Sequence, residues 1–230
     1  MFKTSLSAAT DASDTSLMGN ALAFLAYQKV SMGNPGAEEA EASCRVAGRE
    51  TPSAVRALLF ERAAWAHALS RSDENVVQAA LTSGAEALVD GGERPDPHWA
   101  TWVDRTELDI MTGRCWTALG RPLRAIPALE GALANYDDTH ARDKALYLTW
   151  LAEAYLDAGE VEQGADTLSG AIALSADVAS VRPHRRIHEV LHRMRRDAAL
   201  PAVNGLLERA ATLLPGPAIQ GRKALPRRSR

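Results

Sequence analysis

The sequence predicts an all-α protein built as a stack of helical hairpins. Two segments of similar pattern carry that reading. The first runs Met111-Thr112-Gly113-Arg114-Cys115-Trp116-Thr117-Ala118-Leu119-Gly120 and continues through Ala125, Leu129 and Ala132. The second runs Trp150-Leu151-Ala152-Glu153-Ala154-Tyr155-Leu156-Asp157-Ala158-Gly159 and continues through Ala165, Leu168 and Ala171. In each, an aromatic precedes a glycine by four residues, and a leucine and an alanine follow it by nine and twelve. Self-similarity of this kind marks a repeated supersecondary unit. Composition agrees, because alanine is abundant and aromatics make up only 5% of the chain, which favours packed helices over sheets.

The spacing has a physical meaning. Gly113 or Ala152, facing Ala132 or Ala171, lets two helix backbones approach, and Trp116 or Tyr155 fills the space one turn away. Gly120 and Gly159 can take a positive φ and end the first helix of each hairpin.

In chain order, residues 1–16 are small and polar without periodicity and read as a flexible N-terminus. Leu17 to Val30 carries an apolar stripe of Leu17, Ala21, Phe24, Leu25 and Tyr27, and reads as a helix. Gly33-Asn34-Pro35-Gly36 is a turn. Ala37 to Gly48 follows as a helix with acidic Glu38, Glu39 and Glu41 in its first turns, where the macrodipole favours them. Thr51-Pro52 reads as an N-cap and first helical residue of a helix reaching Leu69, and Asn75 to Val89 returns. That pair resembles a further hairpin whose register is not unique in the sequence. Residues 90–97 are rich in Gly and Pro and form the clearest loop. His98, Trp99 and Trp102 after it suit core packing better than a pocket. The two clear hairpins follow, then a basic helix from Arg182 to Arg196 and another opened by Pro201. Residues 17–214 thus read as one helical-repeat domain, and 215–230 as a basic, disordered tail.

Net charge is −3 over 230 residues, but it is unevenly spread. From Arg182 onward there are twelve Arg and Lys against three acidic residues, leaving an acidic body. Cys44 and Cys115 have no metal-like spacing and read as apolar thiols in a reducing compartment. The longest apolar run, Ala21 to Tyr27, is too short to span a bilayer. Nothing resembles a secretory signal, so a cytoplasmic location is expected.

One enzyme motif matches by letter. His188-Glu189-Val190-Leu191-His192 has the His-Glu-x-x-His spacing that puts two imidazoles on one helix face with a glutamate as general base. Arg186 and Arg193 flank it, and Glu208 is the nearest downstream candidate for a third ligand. The preferred reading is a solvated basic helix. A zinc hydrolase with His188 and His192 as metal ligands and Glu189 as base is the alternative. No phosphate-binding glycine loop or nucleophile elbow is present, and no cofactor is expected.

The two hairpins resemble the tetratricopeptide repeat, at Leu148, Leu151, Ala152, Tyr155, Leu168 and Ala171 in the second unit. Gly164 departs from that pattern, where a mid-helix alanine is usual, as does the lack of a closing proline near Ala176. More specifically, Asp138 to Tyr155, Asp157 to Gln163, Arg114-Cys115-Trp116, Leu119-Gly120-Arg121-Pro122 and Ala54 to Leu59 resemble the C-terminal helical-repeat region of actinobacterial helix-turn-helix regulators of the XRE type. The resemblance covers roughly residues 17 to 214. It implies a tetratricopeptide-like solenoid with a concave face lined by the first helix of each hairpin. Those positions are Glu107, Ile110, Arg114 and Thr117 in the first unit and Leu146, Thr149, Glu153 and Leu156 in the second. It implies a regulatory module that binds a protein, peptide or small ligand and can pair with a second copy. Residues 1–16 cannot hold the family's DNA-binding head, so direct DNA binding is not expected of this chain.

Overall fold

The computed structural model describes residues 2–91, 94–134, 136–176 and 180–214. These residues form eleven α-helices and no strand. They are α1 (Phe2–Asp11), α2 (Thr15–Ser31), α3 (Ala37–Val46), α4 (Ser53–Leu69), α5 (Glu74–Asp90), α6 (Arg105–Ala118), α7 (Pro122–Leu133), α8 (Ala141–Ala158), α9 (Val161–Ser175), α10 (Val181–Met194) and α11 (Pro201–Leu213). None is long and apolar enough to cross a membrane.

Local chemistry sets most of the boundaries. Asp14, Asp73 and Asp104 cap α2, α5 and α6, each accepting a hydrogen bond from a backbone N–H of the first turn. Pro122 and Pro201 open α7 and α11, where the missing N–H costs nothing. Four hairpins, α2/α3, α4/α5, α6/α7 and α8/α9, turn through one shared motif. At each, a residue of positive φ follows the helix, and the next N–H reaches a carbonyl five residues back. The residues are Gly33 (φ 76°), Arg71 (φ 54°), Gly120 (φ 67°) and Gly159 (φ 84°). The returning bonds are Asn34 to Lys29, Ser72 to His67, Arg121 to Trp116 and Glu160 to Tyr155. This is the Schellman closure.

That shared turn fixes the register of the α4/α5 hairpin, which the sequence leaves open. Arg71 stands where Gly120 and Gly159 stand. His67 is then the counterpart of Trp116 and Tyr155, four residues earlier. It is buried, with its imidazole 3.2 Å from the Ser72 hydroxyl and 3.5 Å from the Glu41 carboxylate of the preceding hairpin.

Successive hairpins stack. Helix α4 packs on α6, α6 on α8 and α8 on α10, while α7 packs on α8, α9 on α10 and α11 on α9. The core between α6, α7 and α8 holds Ile110, Leu129, Leu133, Tyr147, Leu151 and Tyr155. Each fully buried aliphatic there contributes about 1.5–3 kcal/mol. The small residues act as the spacing suggests. A Cβ on Gly113 would run into the Leu129 side chain. At Gly164, the departure from the repeat pattern, a Cβ would lie 3.1 Å from the Ala152 carbonyl oxygen. Glycine there lets α9 sit closer to α8.

Two expectations are corrected. The first sixteen residues are not featureless, because α1 forms and packs on α2 with Phe2 stacked on Phe24 at 5.0 Å between ring centroids. Phe2, Leu6 and Ala9 make a short stripe that the surrounding Ser and Thr obscure. Thr51 does not cap α4; its buried hydroxyl has no hydrogen-bond partner. The loop supplies the cap instead, since Asp96 accepts from the Ala54 N–H at 2.9 Å. Asp96 therefore ties the end of this loop to α4, while Gly92 and Glu93 lie outside the described residues. The tail expected over 215–230 also lies outside them.

Candidate functional site

The row α4, α6, α8 and α10 brings together the molecule's densest set of aromatic and charged side chains. Counting back from the turn residue makes the construction plain. Trp65, Arg114 and Glu153 each stand six residues before it, on α4, α6 and α8. Glu61, Ile110 and Thr149 each stand ten before it. Equivalent positions on adjacent stacked helices fall side by side, so the row reads across the repeats.

At its centre lies the Arg114 guanidinium. Its Cζ sits 4.8 Å from the centre of the Trp65 ring and 5.4 Å from that of Trp150. The two indoles meet edge-on at 5.3 Å. On the far side of Trp150, the Arg186 Cζ lies 3.8 Å above the same ring. Trp65, Arg114, Trp150 and Arg186 thus alternate across four helices, and each cation–π contact contributes about 0.5–2 kcal/mol.

The two arginines differ in their partners. Arg186 is ion-paired to Glu153 and, at 2.9 Å, to Glu189. Arg193 joins Glu153 at 2.7 Å and also pairs with Asp157. This network clasps α10 to α8. Arg114 has no ion pair or hydrogen bond to any described residue. It is only half-buried.

Two carboxyl groups, Glu61 and Glu107, interact electrostatically with Arg114. Glu61 is 3% exposed, and its Oε2 has no hydrogen-bond partner. Burial pushes its pKa up to about 8, with the nearby Glu107 charge adding to the rise and Arg62 and Arg114 opposing it. The Glu107 pKa is also raised, first by burial, while a 3.0 Å hydrogen bond from the Tyr147 hydroxyl works the other way. Arg62 is held elsewhere, donating to Asn20 at 2.6 Å and lying over the Phe24 ring. Three buried donors in the same row also have no acceptor: Arg114 Nε, Trp150 Nε1 and Arg186 Nε.

The structure separates the eight expected groove residues into three sets. Glu107, Arg114 and Glu153 occupy the row described above. Leu146 lines a cavity of about 180 Å³ with Arg142, Val181 and Arg182, near the starts of α8 and α10. Ile110, Thr117, Thr149 and Leu156 are buried in helix packing. Thr117 and Thr149 spend their hydroxyls on backbone carbonyls of Gly113 and Leu146. Sequence reasoning did not single out Glu61, Trp65 and Trp150 as site residues. Once Arg71 is aligned with the two turn glycines, Trp65 falls on the Arg114 position and Glu61 on an otherwise uncharged core position.

Of His98, Trp99 and Trp102, expected to pack in the core, only Trp99 does so, and His98 is exposed. Trp99 packs against the α4 core, and the half-exposed Trp102 donates its indole N–H to the Trp99 carbonyl at 2.8 Å. The His-Glu-x-x-His segment lies on α10. Glu189 is engaged by Arg185 at 3.7 Å and Arg186 at 2.9 Å, so the general base is held by two cations. Glu208 accepts from Asn204. Among the described residues no group of three or more His, Cys, Asp or Glu is placed to hold a metal ion.

The fold and this row define an all-helical protein of stacked hairpins. Compared with protein-family models, curated proteins and solved structures, the chain matches none.

Proposed function

We propose that the chain is a tetratricopeptide-like binding module whose α4–α6–α8–α10 row receives a protein or peptide partner. Its role is regulatory, as in the helical region of XRE-type regulators, and its setting is cytoplasmic. One observation carries the reading. Arg114 packs beside two indoles at the centre of the row and, with the Glu61 and Glu107 carboxyls nearby, makes no ion pair or hydrogen bond to a described residue. A half-buried charge left unpaired costs stability, and an arginine stacked on aromatics is well suited to recognition. Arg186 and Arg193 support it in a different way, since their acids hold the row together rather than leave it open.

The test is affinity purification from the native host with the full chain and an Arg114→Glu variant, identifying every protein and peptide retained. A stoichiometric partner held by the native chain and lost from the variant, with helical circular dichroism unchanged, is the expected result. Equal retention by both counts against the row. Glu153→Lys is a poorer probe, because it breaks the clasp to α10 as well as altering the surface.

A further inference from the structure

We propose that the chain carries a second site, a serine hydrolase centre acting on small polar carboxylic esters. Ser72 is its nucleophile, His67 the base and Glu41 the residue that positions His67. It lies at the α4/α5 turn, apart from the helix row, and does not depend on the row's being a binding surface.

The shared turn builds the pair. In each hairpin the residue after the positive-φ position returns its N–H to the carbonyl of the residue four before that position. The closure therefore sets those two residues side by side. In three hairpins they are Asn34 and Lys29, Arg121 and Trp116, and Glu160 and Tyr155. In α4/α5 they are Ser72 and His67, so the same closure puts a hydroxyl beside an imidazole. Ser72 Oγ is 3.2 Å from His67 Nδ1. On the other side of the ring, His67 Nε2 lies 3.5 Å from the Glu41 carboxylate of α3, which also meets Arg45 at 3.4 Å. A carboxylate at Nε2 favours the tautomer that carries its proton there and leaves Nδ1 free to accept from Ser72. A hydroxyl, a base within reach and a third group orienting that base are the parts of an activated nucleophile, recognised by geometry rather than by chain order.

Access and charge agree with those roles. His67 is 6% exposed. Ser72 is half-buried and lines the open hollow of about 460 Å³, together with Asp73, Glu74, Asn75 and Arg121. The base is thus shielded from water, while the nucleophile borders a space that a small substrate can enter. The start of α5 borders the same hollow, and its first backbone N–H groups have no partner within the helix. Such donors favour the negative charge that develops on an ester carbonyl oxygen under attack. The Glu74 carboxylate does not oppose that charge, since Arg121 and Arg124 take it up. The lining is mostly polar, which selects a small polar ester over an apolar one.

In the first step Ser72 Oγ bonds to the ester carbonyl carbon and its proton passes to His67 Nδ1. The ester C–O bond breaks, and the leaving oxygen takes that proton and departs as an alcohol. In the second step water attacks the acyl carbon and gives its proton to His67. The bond from carbon to Oγ breaks, Ser72 regains the proton, and a carboxylic acid is released.

The experiment exposes the full chain to p-nitrophenyl acetate and, separately, to a fluorophosphonate probe, and locates the probe by peptide mass spectrometry. The expected result is steady release of p-nitrophenolate, with the probe on Ser72. Ser72→Ala should lose both the probe and the turnover. His67→Gln, which keeps a polar group in the buried position, should lower kcat roughly 10²–10⁴-fold. Glu41→Gln should lower kcat with KM unchanged, a split that mere loosening of α3 would not produce. Circular dichroism checks the fold of each variant, and labelling of the native chain needs no variant at all. A native chain that takes no probe, a probe carried on another residue, or turnover by Ser72→Ala equal to that of the native chain would each overturn the site. Full turnover in Glu41→Gln would remove Glu41 from it.

Discussion

The α4/α5 and α6/α7 hairpins share a turn and are neighbours in the stack, and three of the matched positions at which they differ bear on stability. Where α6 has Ile110, α4 has Glu61. Where α6 has Trp116, α4 has His67. Where the α6/α7 turn has Gly120, the α4/α5 turn has Arg71. Each change costs stability: a carboxyl in the core without a full set of partners, an imidazole in an aromatic's place, and a side chain at positive φ. The first and the last can be weighed separately. Glu61 lies beneath the Arg114 row, so its cost coincides with the candidate site. Arg71 lies at the turn, lining an open hollow of about 460 Å³ with Asp73, Glu74 and Arg121, away from that row. Departures from a repeat therefore do not all mean the same thing. The one that places a polar group among apolar counterparts next to an unpaired arginine is the one that points to the binding row.

The largest expected effect comes from Glu61. Its folded-state pKa is raised to about 8, so the folded chain holds a proton that the unfolded chain releases. The contribution is fully present below about pH 4.5, declines as the pH rises towards 8 and is flat above it. Unfolding free energy from urea melts should fall by on the order of 5 kcal/mol across that window from this group. In Glu61→Gln that part of the slope should vanish, leaving the variant more stable than the native chain at pH 8. An identical slope in both would mean that Glu61 ionises as freely folded as unfolded.

The regular hairpin offers the next test. Ala64, Gly113 and Ala152 are matched positions, and only at Gly113 does a Cβ collide with the Leu129 side chain. Gly113→Ala should destabilise the chain by about 1–3 kcal/mol, because a methyl is forced into a filled core. Ala152→Gly, the reverse change on α8, should cost about 1 kcal/mol through backbone entropy. If Gly113→Ala instead stabilised the chain, α6 and α7 would have room to separate.

How much of this was legible in the sequence follows from the same matched positions. The hairpins around Gly120 and Gly159 were visible because their signals are local, with each glycine, aromatic and small residue within a dozen positions. The helices from α2 to α11 were visible through periodicity and turn residues. The α4/α5 register was not, because an arginine occupies the position that glycine usually marks. The cap on α4 was not, because Asp96 reaches it from more than forty residues away. Glu107, Arg114 and Glu153 were picked out as row positions, but the sequence could not say that Glu153 is committed to α10 while Arg114 is not. That distinction depends on where the α10 arginines land, which is a matter of packing between hairpins. The buried Ile110, Thr117, Thr149 and Leu156 show the same limit, since one helix supplies both the open row and the contacts between neighbours.

The smallest effect isolates the turn. Arg71 holds φ at 54°, a conformation that costs a non-glycine residue about 1–2 kcal/mol. Arg71→Gly removes that strain but adds freedom to the unfolded chain, which takes back roughly 0.5–1 kcal/mol. A net gain of about 0.5–1 kcal/mol is expected, read as a shift of the urea midpoint with an unchanged slope. Partner retention by the α4–α6–α8–α10 row should not move, because the turn lies away from the row. A stabilised chain with unaltered binding would show that Arg71 is a tolerated irregularity, separable from Glu61 on the same hairpin. Lost binding in Arg71→Gly would instead tie the turn to the site and make the whole α4/α5 hairpin, rather than its Glu61 face alone, the functional departure from the repeat.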